Sequence, residues 1–141
     1  MERWEIETGF VTRLEKWGEN TGVIVDQALP NLFLLLDTTD LYLEVHVSTL
    51  PGRRGFWGLS PNRLDYLRAS GREWLVALLQ ESPETGYLLP SAEVIHCTRP
   101  EGEWPLRAGG QHKIHQPRVS EEFYFKSFHE LAERLGGRIK S

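Results

Sequence analysis

The sequence predicts a mixed α/β fold, a single central sheet with flanking helices, and three observations carry that prediction. Apolar residues recur at helical spacing near both ends of the chain, at Ile6, Phe10, Leu14 and Trp17 and again at Phe128, Leu131 and Leu135. Between them lie segments of strand type: two apolar runs around a polar turn from Pro30 to Val47, and the unbroken run Trp74–Leu79. The length, 141 residues, suits one ordinary domain with a real hydrophobic core.

Taken in order, Glu2 to Trp17 reads as an amphipathic helix with Val11 on its apolar side, stopped by Gly18-Glu19-Asn20. The β-branched run Gly22–Asp26 is a short strand, followed by a hairpin of strands at about Asn31–Asp37 and Leu41–Ser48 with Thr38-Thr39-Asp40 as its turn. Pro51–Gly55 is a basic, glycine-rich loop. A second helix opens with Ser60 as N-cap and Pro61 at its first position, turns Leu64 and Leu67 inward and closes at Gly71. Trp74–Leu79 has the composition of a strand buried on both faces, and the turn Pro83–Gly86 leads to a further strand, Tyr87–Leu89, ended by Pro90. From about Arg99 to Gln111 the chain is rich in Gly, Pro and charge and reads as a surface excursion anchored by Trp104 and Leu106. The last helix has the clearest signals: a capping box at Ser127–Glu130 and a terminator at Gly136-Gly137.

Composition narrows the functional classes. Sixteen basic against 20 acidic residues give a net charge of −4, so any attraction to nucleic acid must come from a local basic patch. The single cysteine, Cys97, cannot form an internal disulfide or a cysteine-only metal site. The N-terminus, MERWEIETG, is charged and polar rather than signal-like, and no apolar run approaches the ~20 residues of a membrane helix. The expectation is a soluble cytoplasmic protein with no membrane partner.

The chemistry concentrates on Glu44-Val45-His46. Two residues apart on a strand, Glu44 and His46 share a face and set an acceptor beside a titratable nitrogen, with the Asn31 amide within reach if the hairpin closes. A carboxylate between Leu43 and Val45 is hard to explain as packing, because an unpaired buried carboxylate is costly. The pattern alone allows equally that a polar strand face carries both side chains into solvent.

Pro30-Asn31 ahead of one strand, Glu44-Val45-His46 on the next, and Glu7 in the opening helix together resemble the PD-(D/E)XK nuclease-like, or restriction-endonuclease-like, superfamily. The likeness continues through the basic loop, the helix Asn62–Arg68, the strand Trp74–Leu79 and the Tyr-Leu-Leu-Pro strand, covering about residues 3–95. It implies one nuclease-like domain over 1–141, with residues of about 96–141 forming the excursion and a capping helix. It further implies Glu44, Asn31 and Glu7 as ligands of Mg or Mn, Glu44 and His46 as the catalytic pair, and metal-assisted attack of water on a phosphodiester. Two positions depart from the motif. Asn31 is neutral where the family has a metal-binding Asp, and His46 stands where it has Lys. Asp37 is the best of Asp26, Asp37 and Asp40 to replace the missing charge, yet a strand of that length sets it roughly 20 Å from Asn31. These departures imply weakened or lost hydrolysis, or alternatively a non-catalytic module on the same fold that binds nucleic acid, a protein partner or a second copy of itself.

Other constellations carry less. Arg53 and Arg54, beside Phe56-Trp57 and just after the Glu44 strand, combine charge with aromatic faces as nucleic-acid contacts do, or else form a solvated loop with Trp57 packed on the core. His96, Cys97, His112 and His115 match no common zinc spacing, and His112 and His115 fall on opposite faces of a strand. No Gly-x-Ser-x-Gly context surrounds Ser91 or Ser120, and the glycines at 52, 55 and 58 lack the lysine of a nucleotide cradle. On the binding-module reading, Trp57, Trp104, Tyr124 and Phe125 would mark a partner surface. An unrelated α/β small-molecule binder would instead show a closed apolar pocket away from Glu44.

Overall fold

The computed structural model describes residues 1–107 and 109–139. Its elements follow the chain as helix α1 (Arg3–Thr21), strands β1 (Ile24–Leu29), β2 (Leu32–Leu36), β3 (Leu41–Ser48) and β4 (Phe56–Leu59), and helix α2 (Pro61–Ala69). Next come β5 (Glu73–Gln80), β6 (Gly86–Pro90), α3 (Ser91–Cys97), β7 (Leu106–Arg107), β8 (Gln111–His115), β9 (Tyr124–Phe125) and α4 (Phe128–Ile139). Six strands form the main sheet in the order β1-β2-β3-β5-β6-β9, and β4-β8-β7 form a second, small sheet. β3 and β5 are parallel; the other pairings are antiparallel. The mixed α/β architecture is thus as the sequence predicts.

Alternation along the central strands divides the core in two. Leu41, Leu43, Val45 and Val47 of β3 and Leu75, Ala77 and Leu79 of β5 pack with Ile6, Phe10 and Leu14 of α1 and Leu131, Leu135 and Ile139 of α4. The opposite face, with Tyr42, Trp74, Val76 and Leu78, is covered by α2, α3 and the small sheet through Leu64, Leu67, Val94, Cys97, Trp57, Leu59 and Ile114. Burial on both faces accounts for the unbroken apolar run of β5. Glu44 lies between Tyr42 and His46 on this second face.

Several boundaries differ from expectation, each for a physical reason. α1 does not stop at Gly18 but runs to Thr21, capped by Gly22 in the left-handed conformation at φ 80°. Gly18 is instead a contact residue, since a Cβ there would stand 2.6 Å from the Val23 carbonyl oxygen and 2.9 Å from Val25 Cγ2. α4 likewise continues through Gly136-Gly137 to Ile139, whose fully buried side chain gives the last turn its packing. The Arg99–Gln111 excursion leads into β7 and β8 rather than remaining irregular, and α3 follows Pro90 without a break. Trp57, Trp104 and Phe125 are buried core residues, so of the four aromatics suggested as a partner surface only Tyr124 is exposed. Among the described residues no helix is long and apolar enough to cross a membrane.

Candidate functional site

The turn between β1 and β2 is Pro30-Asn31, and Asn31 takes the left-handed conformation at φ 60°, which Asn tolerates better than most residues. Asn31 is therefore a turn residue rather than the first residue of β2. Its backbone carbonyl accepts from the Val45 N–H at 2.9 Å, which ties the turn beside the middle of β3. There Glu44 pairs with Leu32 on one side and Val76 on the other, and its side chain is only 3% exposed. The β3 strand thus fixes Glu44 and His46 on one face, and the turn brings Asn31 to them.

Both oxygens of the Glu44 carboxylate are taken. Arg63 Nη1 donates to Oε1 at 2.5 Å, and His46 Nε2 lies 3.0 Å from Oε2. An ionised carboxylate only accepts, so Nε2 carries the hydrogen of that second bond. Arg63 also donates to the Pro30 carbonyl at 3.3 Å. Its place is set by the start of α2: Ser60 Oγ accepts from the Arg63 N–H at 3.4 Å, Pro61 fixes the first helical position, and the guanidinium reaches the sheet from the third. No acidic residue lies in that first turn, so Glu44 is the anion that offsets a cation placed against the helix dipole.

These groups line an open cavity of about 570 Å³ that includes Asn31, Glu44, His46, Ser60, Asn62, Arg63, Tyr66 and Gln111. A smaller hollow of about 270 Å³ shares Asn31, His46, Gly58 and Gln111 and extends to Arg3 and Phe56. Arg3 donates to the Val47 carbonyl at 2.7 Å, so α1 contributes a cation at the far end. Gln111 comes from β8, and its amide lies over Gly58, where any side chain would collide with it. The small sheet therefore supplies one wall. On the rim, the Tyr66 hydroxyl is 3.4 Å from that of Tyr42, whose own pKa is raised by this hydrogen bond and by burial.

The structure brings together Asn31, Glu44 and His46 of the residues singled out in the sequence. Glu7 is half-buried on α1 and lines neither hollow; Arg53 and Arg54 are exposed in the loop before β4, with Arg53 3.4 Å from Glu121. Asp26 and Asp37 lie outside the cavity, and Asp40 pairs with Arg72 at 3.6 Å. Lining residues that sequence reasoning missed include Arg63, Arg3 and Gln111. His112, buried, bonds the Trp104 carbonyl through Nδ1 at 2.8 Å, while His115 packs on Phe56 at the surface, so the two histidines play separate structural parts.

With Arg63 in place, the donors present do not fit a divalent cation. The carboxylate is already bound at both oxygens, Asn31 offers no charge, and no group of three or more His, Cys, Asp or Glu able to hold a metal occurs among the described residues.

No protein-family model matches the sequence, and no curated protein matches it. Among solved structures, the chain is similar to Hjc of Archaeoglobus fulgidus, a Holliday junction resolvase from an archaeal hyperthermophile. The TM-score is 0.52 at 18% identity, over 92% of this chain and 93% of that one. The likeness is one of fold: the chain has the restriction-endonuclease-like fold that its motif resembles.

Proposed function

We propose that a chain with this nuclease-like fold binds the phosphodiester backbone of nucleic acid in the cavity around Glu44, with metal-dependent hydrolysis weakened or lost. The observation that carries this reading is the Arg63–Glu44–His46 arrangement, in which the carboxylate is held by a guanidinium and an imidazole rather than left open. Arg63 has N–H groups beyond those given to Glu44 and the Pro30 carbonyl, and Arg3, Asn31, Asn62 and Gln111 add donors along the same groove. Tyr66, 44% exposed on the rim, offers a face for a base. The fold it shares with a junction resolvase supports nucleic acid over other anionic partners. Arg53 and Arg54 would extend the contact outside the cavity.

A second reading is favoured by one observation, the convergence of Asn31, Glu44 and His46 on a single cavity. On that reading Glu44 and Asn31 would hold Mg or Mn once Arg63 is displaced from the carboxylate, with Glu7 outside the cavity, and His46 would be catalytic beside Glu44 in phosphodiester hydrolysis.

Fluorescence anisotropy with labelled single-stranded, duplex and branched oligonucleotides in EDTA, beside cleavage gels with Mg²⁺ and Mn²⁺, separates the two. The expected result is binding without metal, weaker by at least about tenfold in Arg63→Gln and declining with salt as phosphate contacts do. Cleavage that needs metal and disappears in Glu44→Ala would establish the hydrolytic reading instead, and failure to bind any of the oligonucleotides would sink both.

A further inference from the structure

We infer that Arg63 is a built-in cation occupying the side of the Glu44 carboxylate that a divalent metal would need, so that this pocket meets phosphate with a guanidinium in place of a metal ion. The inference deepens the reading of the Glu44 cavity as the functional centre. Three observations on separate elements converge on it.

The first is electrostatic. Glu44 sits in the middle of the main sheet at 3% exposure, and a buried carboxylate requires a counter-charge. Arg63 supplies one that cannot be lost by deprotonation, at 2.5 Å. The second is positional. The guanidinium also donates to the Pro30 carbonyl, and its backbone is fixed at the Ser60-capped start of α2, so its approach to Glu44 is built into the fold rather than made by a free surface side chain. The third is charge balance. Asn31 removes a negative charge from the cavity and Arg63 adds a positive one, and each change makes the other tolerable. A second carboxylate beside Glu44 would exceed what one guanidinium offsets, whereas a neutral amide leaves Glu44 and Arg63 matched.

Removing the guanidinium should therefore expose a cation site. In Arg63→Gln the carboxylate loses its main partner, and Glu44 Oε1 with the Asn31 amide oxygen and water can accept a hard-to-borderline ion such as Mn²⁺. The test is calorimetric titration of Mn²⁺ alone into wild type, Arg63→Gln and Arg63→Gln/Glu44→Gln, with thermal melts of each at increasing Mn²⁺. Arg63→Gln should bind Mn²⁺ at least about tenfold more tightly than wild type, and the double variant should lose the gain. Guanidinium ion at low millimolar concentration should compete with Mn²⁺ in Arg63→Gln, an effect that a merely structural arginine would not produce. Equal Mn²⁺ affinity in wild type and Arg63→Gln, including no binding by either, overturns the inference. Should Arg63→Gln be unfolded alone, Mn²⁺ must refold it in a Glu44-dependent way; no such rescue also overturns it. Because no nucleic acid is present, this result is independent of whether the cavity binds oligonucleotides.

Discussion

Glu44 and Arg63 lie nineteen positions apart in the chain, and their contact decides what the residues around them can do. A carboxylate at 3% exposure beside a guanidinium at 24% is coupled to it in stability as well as chemistry. Glu44→Gln keeps a neutral acceptor for Arg63 but removes the charge that offsets its guanidinium, and the expected loss is about 1–3 kcal/mol. Urea denaturation checks this as a lower midpoint with unchanged slope. Arg63→Gln should cost at least as much, since it strands the more deeply buried partner, and the double variant should cost less than the sum of the two. Strictly additive losses would mean that the pair contributes no coupling. The Glu44–His46 half of this arrangement is legible in the sequence, because strand alternation alone puts residues two apart on one face. Arg63 is not, since it reaches the strand from another element. The one local hint is an arginine in the first turn of a helix with no acid beside it, where the dipole disfavours a cation unless an anion waits elsewhere.

At the scale of elements, two glycine sites show why boundaries were harder to read than elements. Gly18 and Gly136-Gly137 look alike as helix terminators in sequence, yet all three lie inside helices. What separates them is the neighbouring surface. A Cβ at Gly18 meets β1 and the residue before it, whereas one at Gly136 meets nothing within 4 Å. Gly18→Ala should therefore destabilise by about 1–3 kcal/mol through overpacking. Gly136→Ala, free of steric conflict, should stabilise by about 0.5–1 kcal/mol by restricting the unfolded chain. Melting temperatures moving in opposite directions check the pair, and a shift of the same sign in both would refute the contrast. The long elements α1, β3, β5 and α4 announce themselves by period. The short β4, β7, β8 and β9 do not, because two to five residues carry too little pattern and are strands only by virtue of the neighbours they pair with. Gln111 was out of reach for the same reason: it joins the cavity through the β4–β8 pairing, a tertiary fact.

Across the whole molecule, the main sheet separates two cores of different chemical character. The core under α1 and α4 is made of aliphatic side chains and phenylalanines, whereas that under α2, α3 and the small sheet holds Tyr42, Tyr87 and Cys97. All three acids are pushed toward their neutral forms. Burial, with Glu93 beside it, raises the Cys97 thiol from 9.0 to about 12; Tyr42 is raised by its bond to Tyr66 and by burial, and Tyr87 chiefly by burial. An acid whose pKa is higher folded than unfolded contributes stability that is complete below the unfolded value and declines as pH rises above it, because the unfolded chain then holds fewer protons than the native one. Urea midpoints should therefore start to fall above pH 9.0, where the unfolded thiol ionises, and fall more steeply above 10.0, where the two phenols join it. Each group adds a slope of at most about 1.4 kcal/mol per pH unit. In Cys97→Ala the baseline is lower, but the decline should begin only with the tyrosines; an unchanged onset would show that the thiol does not couple to folding. Since all three groups lie on one side of the sheet, base should loosen the α2–α3 side first. Hydrogen exchange near pH 10 should then show α2 and α3 losing protection before α1 and α4, and simultaneous loss would mean that the two cores unfold as one unit.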